Sequence, residues 1–150
     1  MKTMPRCLAI FLLMFPLWLH AADGLIVMPS IRPAGATADA VESAVRNKGL
    51  TVFARIDHAE GARAVGKSLR PTTLLIFGGP AGGTPLMECA QTAGIDLPLK
   101  ALVWTDEAGK TWVGYNDPAY IGKRHGAPDC PAVVNLSRTL SQLIAGALAP

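Results

Sequence analysis

The sequence predicts an α+β domain with the order β-α-β-α-β-α-β-β-α, its helices packed on one face of a twisted sheet that ends in an antiparallel hairpin. Three observations point there. Apolar runs with strand character alternate with segments of helical period. The runs at 97–105 and 111–115 flank a polar turn, Asp106-Glu107-Ala108-Gly109-Lys110. The chain has 150 residues, half of them apolar and 17% charged, enough for one buried core and too few for two. The same composition excludes a disordered or collagen-like chain.

Residues 1–22 carry the pattern of a cleaved secretory signal. Lys2 and Arg6 form a positive start, 7–19 is an apolar run of thirteen positions, and Leu19-His20-Ala21 offers a small-residue cleavage site. A spanning helix needs about 20 apolar residues, and Pro16 interrupts this shorter run, so no stable membrane span is expected after cleavage. The expected location is periplasmic or secreted, with a single domain over 23–150. Removing Lys2 and Arg6 leaves 12 basic against 11 acidic residues, a net charge of about +1. With no basic run or zinc-finger spacing, nucleic acid is not an expected partner. Export brings an oxidising compartment. Cys89 and Cys130 remain in the mature chain; paired, they would close a loop of about 40 residues, worth about 4 kcal/mol on the chain-entropy model, and the alternative is two free buried thiols.

Each element has its own signal. Residues 24–31 read as a first strand ended by Arg32-Pro33. Thr37 is the expected cap of a helix over 38–48, with Val41, Ala44 and Val45 as its apolar stripe and Gly49 at the left-handed position that ends it. Residues 50–56 alternate, Val52, Ala54 and Ile56 on one face. Asp57-His58-Ala59-Glu60 has capping-box spacing and opens a helix to about Leu69. After Arg70-Pro71, residues 72–77 form a continuous apolar run typical of a central strand. A glycine-rich loop over 78–83 leads to Thr84 as N-cap and Pro85 at the first position of a helix to about Thr92. Asn116-Asp117-Pro118 repeats that device for a short helix to about Arg124. Val133, Leu136, Leu140, Leu143, Ile144 and Ala147 set a final helix over about 132–148.

The chemistry-bearing residues are few. The loop Gly78-Gly79-Pro80-Ala81-Gly82-Gly83-Thr84 has P-loop spacing but Thr84 where a phosphate-binding lysine belongs, so nucleotide binding is excluded. The helix start at Thr84 still offers N–H groups to a carboxylate or phosphate, beside the plain reading of a tight turn with a capped helix. His58 sits in a first helical turn, where the dipole favours the neutral imidazole that a base or metal ligand requires. His125, after Lys123-Arg124, reads as an ordinary helix C-terminal cation. Lys100 shares strand parity with Leu102 and Trp104, whose side chains are expected in the core. It is therefore either at a strand end, snorkelling to water, or in a pocket beside Asp96, Asp117 or Asp57. A soft set of His58, Met87 and Cys89 would suit copper or haem. No other metal spacing appears, and no cofactor is expected.

Five blocks in order make the stretch from Asp57 to Tyr120 resemble a bacterial and archaeal family known as domain of unknown function 302. They are Asp57-His58-Ala59, Leu69-Arg70-Pro71-Thr72-Thr73-Leu74-Leu75-Ile76-Phe77-Gly78, Gly83-Thr84-Pro85-Leu86-Met87, Gly94-Ile95-Asp96-Leu97-Pro98-Leu99-Lys100 and Tyr115-Asn116-Asp117-Pro118-Ala119-Tyr120. The resemblance covers about 24–126 and implies an α+β fold of the TATA-binding-protein-like type, met as a homodimer; it implies no activity or ligand. The chain departs from the family pattern at Glu88-Cys89-Ala90 and at Asp129-Cys130-Pro131, which suggests a disulfide peculiar to an exported branch.

Asp57-His58, Gly83-Thr84 and Asn116-Asp117 each open a helix after a strand. The expected site gathers Asp57, His58, Thr84, Asn116 and Asp117 around Lys100, ready for a small anionic ligand. Two functions follow. One is a non-catalytic exported binding or accessory domain. The other is an enzyme with His58 as base, held by Asp57, and Lys100 with Asn116 as electrophilic stabilisers.

Overall fold

The computed structural model describes residues 22–150, so the expected signal segment lies outside it except for Ala22. The elements are β1 (Leu25–Ser30), α1 (Ala34–Asn47), β2 (Thr51–Asp57), α2 (His58–Ala64), β3 (Thr72–Gly78) and α3 (Pro80–Cys89). A 3-10 turn (Gln91–Ile95) follows, then β4 (Leu99–Thr105), β5 (Thr111–Asn116), α4 (Pro118–Arg124) and α5 (Pro131–Leu148). The five strands form one sheet in the order β1-β5-β4-β3-β2, antiparallel at every pairing. This is the α+β domain that the sequence predicts.

Helix α1 connects one edge strand to the other and so crosses the sheet, with α5 packed along it. Ala34, Ala38, Val41 and Val45 of α1 meet Leu75, Phe77, Ala101, Val103 and Val113, while Leu140, Leu143, Ile144 and Ala147 of α5 complete the core. The side chains expected on the last helix's apolar stripe are all buried. A second, smaller core joins Leu86, Ala93, Ile121, Cys130, Val133 and Leu136 where α3, the 3-10 turn, α4 and the first half of α5 meet.

Several boundaries differ from the sequence reading. Helix α1 starts at Ala34, so Thr37 lies inside it, buried, its hydroxyl 2.8 Å from Ser30 Oγ and donating to the Arg32 carbonyl. Those partners let a threonine sit within the helix where a cap is the commoner use. Gly49 has φ +72° as expected. Helix α2 ends at Ala64, where Gly66 turns at φ +69°. In β2 a bulge at Phe53 breaks the alternation: Val52 pairs with Phe77 on the core side, while Ala54 pairs with Ile76 on the other.

The largest correction concerns β4. Ala101 and Val103 are its fully buried residues, so Lys100, Leu102 and Trp104 face away from the helices. Both parities are apolar here, and the packing of α1 selects the smaller side chains. The resulting open face carries Leu25, Val27, Leu74, Ile76, Leu102, Trp104 and Trp112, with Lys100 as its one charged strand residue among the described residues. Trp104 covers Gly114, where a Cβ would lie 2.9 Å from its ring. Trp112 donates from Nε1 to Asp106 at 2.7 Å and holds the Lys110 ammonium 4.2 Å above its ring.

Candidate functional site

Where β3 leaves the sheet and β4 enters it, α3 and α5 stand apart and enclose a cleft of about 590 Å³. That volume lies in the range of small-molecule sites. Its floor is Gly78, Leu97, Pro98 and Leu99, and the Leu97–Pro98 peptide is cis. One wall is α3, from Pro80 to Met87; the other is α5, through Ala132, Asn135, Leu136 and Thr139; Leu50 and Phe53 reach the rim. Among the described residues, no charged side chain lines it. Thr84, Asn135 and Thr139 are exposed and supply the polar side chains. Such a cavity favours an apolar molecule oriented by a few hydrogen bonds.

The glycine-rich segment forms this wall because it is helical, which the sequence reading did not expect. Helix α3 starts at Pro80, with Gly79 as an N-cap that supplies no side chain, and Thr84 and Pro85 lie within it. Thr84 is therefore not a cap. Small residues seat it against its neighbours: a Cβ at Gly83 would lie 3.4 Å from Leu97 of the floor, and one at Gly82 3.4 Å from Leu136 of the facing wall. As a helix the segment is poor. Each interior glycine costs about 1 kcal/mol against alanine, and an interior proline about 3 kcal/mol. Leu86 is the only buried side chain of α3. What holds it is the disulfide between Cys89, its last residue, and Cys130, the N-cap of α5, with Cα atoms 6.1 Å apart. A link of 41 residues' separation contributes about 4 kcal/mol on the chain-entropy model.

The expected six-residue cluster does not assemble. Asp57 is the last residue of β2 and pairs with Thr73, whereas Lys100 pairs with Ile76. They are thus two strands and three residues apart, about 10 Å in each direction. Asp57 accepts a 2.9 Å bond from the Glu60 N–H as the N-cap of α2, and His58 opens that helix. Both lie toward the hairpin end of the sheet. Thr84, Lys100, Asn116 and Asp117 lie at the α3 end. Asp117 caps α4 through a 2.9 Å bond from Ala119, as its spacing implies. Only Thr84 of the six lines the cleft. Lys100 and Asn116 are neighbours on the open face, so the anionic ligand loses its gathering of helix starts and the enzyme its base beside the electrophiles. The soft copper or haem set also fails, because Cys89 is bonded to Cys130 and His58 lies at the other end of the sheet.

Lys100 finds Asp96, through its backbone. The ammonium donates to the Asp96 carbonyl at 2.7 Å and to the Pro98 carbonyl at 3.0 Å, closing the turn that leads into β4. The Asp96 carboxylate instead meets Arg124 at 3.0 Å and His125 Nε2 at 2.7 Å, and His125 Nδ1 lies 3.0 Å from the Thr92 hydroxyl. The His125 and Asp96 side chains are 9% and 12% exposed. His125 is thus a clamp between α4 and the 3-10 turn rather than an ordinary terminal cation. Sequence reading missed it because its partners are 29 and 33 residues away. It missed the α5 wall as well; the available signal was Asn135 and Thr139, one turn apart beside an apolar stripe.

Comparison with known proteins places this chain. A family described as "Domain of unknown function DUF302" matches residues 26–145, so the matching region includes most of α5. A crystal structure described as an uncharacterized conserved protein DUF302 from Bacillus stearothermophilus superimposes with a TM-score of 0.69 at 18% identity, covering 85% of this chain and 97% of that one. That likeness concerns the fold. Two curated relatives are named fluoride-specific ion channel FluC 1. The protein from Brucella suis is 43% identical over 103 residues, 69% of this chain and 41% of its own length. The protein from Brucella abortus has the same identity over 38% of its length. The chain therefore spans about two-fifths of the relatives it matches. With the family model covering the sheet and the helices on both sides of the cleft, this chain belongs to the DUF302 family.

Proposed function

We propose that this protein is an exported, non-catalytic binding or accessory domain that takes a small, uncharged and largely apolar molecule into the cleft between α3 and α5. The observation that carries this is the lining: about 590 Å³ walled by apolar side chains and glycine backbone, with Thr84, Asn135 and Thr139 as the polar side chains. Export is supported by the composition of residues 1–22, and an oxidising location suits the Cys89–Cys130 bond. The accessory role is supported by relatives in which a similar segment forms two-fifths of a longer protein. The match spans only about two-fifths of those relatives, and the channel activity they are named for is not assigned to this chain; no helix of the described residues is long and apolar enough to cross a membrane.

The experiment is titration of the chain, signal removed, with the uncharged fluorophore 1-N-phenylnaphthylamine. Thr139→Trp places a large side chain in the cleft from an exposed helical position. Its expected effect is at least a tenfold loss of affinity with an unchanged melting temperature. Equal binding by the two proteins, or none by the unsubstituted one, overturns the proposal.

A second copy of the chain is the proposed occupant of the open sheet face. An antiparallel sheet with one solvated face ordinarily alternates apolar and polar residues, yet here Leu74, Leu102, Trp104 and Trp112 point away from the core. A two-fold contact buries that face against itself. Sedimentation of Leu102→Asp is expected to give a monomer where the parent gives a dimer, and a monomeric parent overturns it.

A further inference from the structure

We infer that the Cys89–Cys130 disulfide is a redox tether that keeps the cleft formed, so that a dithiol reductant releases the bound molecule while the main core stays folded. This rests on the cleft reading above and adds its regulation.

The placement of the bond carries the inference. Cys89 ends one wall and Cys130 begins the other; the cleft residues of α3 precede Cys89, and those of α5 follow Cys130, all within ten positions. Helix α3 has little else to hold it: two interior glycines, an interior proline, an N-cap without a side chain and Leu86 as its sole buried residue. The sheet, α1 and the second half of α5 share a separate core, to which neither cysteine belongs. Loss of the link therefore falls on the wall first.

Access favours the reaction from one side. Cys89 is exposed and Cys130 buried. A thiolate of the dithiol attacks Cys89 Sγ, the S–S bond breaks, and its electron pair leaves on Cys130 Sγ, which takes a proton. The second thiol of the reductant then attacks the mixed disulfide and frees Cys89 as a thiol. The reductant becomes a disulfide, having given two electrons and two protons.

The test uses the chain oxidised and then treated with dithiothreitol, read by 1-N-phenylnaphthylamine binding, far-UV circular dichroism and hydrogen exchange by peptide. The expected result is at least a tenfold weaker affinity on reduction, restored on reoxidation, with faster exchange over residues 80–95 and unchanged protection in β3 and β4. Equal affinity in both states overturns the tether, as does global loss of secondary structure on reduction. If the oxidised chain binds no probe, the cleft reading fails. Exchange then decides the tether alone: faster exchange confined to residues 80–95 supports it, and unchanged exchange overturns it. A Cys89→Ser, Cys130→Ser double variant should match the reduced chain, and one that binds like the oxidised chain overturns the inference.

Discussion

The core beneath α1 and the smaller core behind the disulfide are built by different means from one chain. In the first, strands and two amphipathic helices bring fourteen buried residues together, and area removed from water accounts for its hold. In the second, seven buried residues are shared among short elements, and specific links supplement burial: the disulfide, the Asp96–His125 clamp and close backbone approach at Gly122. The difference teaches where binding space can persist. A cleft opens along the half held by links, because links fix elements at points and leave room between them.

Substitutions sharpen that contrast, beginning with the largest effect. Phe77→Ala removes a fully buried side chain from the main core and is expected to cost about 3–5 kcal/mol, lowering the denaturant midpoint for the whole domain together. Gly122→Ala strikes the smaller core. Its Cβ would meet Val133 Cγ2 at 2.7 Å and the Ala127 carbonyl at 3.0 Å, so a loss of about 1–3 kcal/mol is expected. Exchange should rise mainly in α4 and the start of α5; a uniform rise would erase the distinction between the halves.

Asp57→Ala removes the cap of α2, far from the cleft. About 1 kcal/mol should be lost with probe affinity intact, and a binding defect would return Asp57 to the site. The smallest effect is one of pH. Arg46, and then Arg55, hold the Glu42 carboxyl below its ordinary value of 4.5. A lowered folded-state pKa gives stability that is complete above the unfolded value and lost as pH falls through the folded one. Acid titration of stability below about pH 4.5 should therefore be shallower in Glu42→Gln, and identical acid limbs would refute the pairing.

What was legible in the sequence follows the same division. The period of Val133, Leu136, Leu140 and Leu143 located α5, and Asp57 and Asp117 announced two caps, because these signals are local. Lys100 was placed on the wrong face because Ala101 and Val103 are as apolar in pattern as Leu102 and Trp104; only α1 distinguishes them. The first turn of α3, from Pro80 to Gly83, reads as loop in the sequence because propensity opposes a helix there, and the cross-link that overrides propensity joins positions 41 apart. The cleft was invisible for the same reason, since its walls meet only in three dimensions.

The paired indoles of β4 and β5 have a spectroscopic consequence. Trp104 and Trp112 stand opposite each other on the open face, whereas the cleft lies on the helix side and, among the described residues, contains no tryptophan. Trp18, the remaining one, belongs to the segment expected to be cleaved. Intrinsic emission thus reports directly on whatever covers the sheet, while a molecule in the cleft touches neither indole, so self-association is read from the tryptophans and ligand uptake from the added probe.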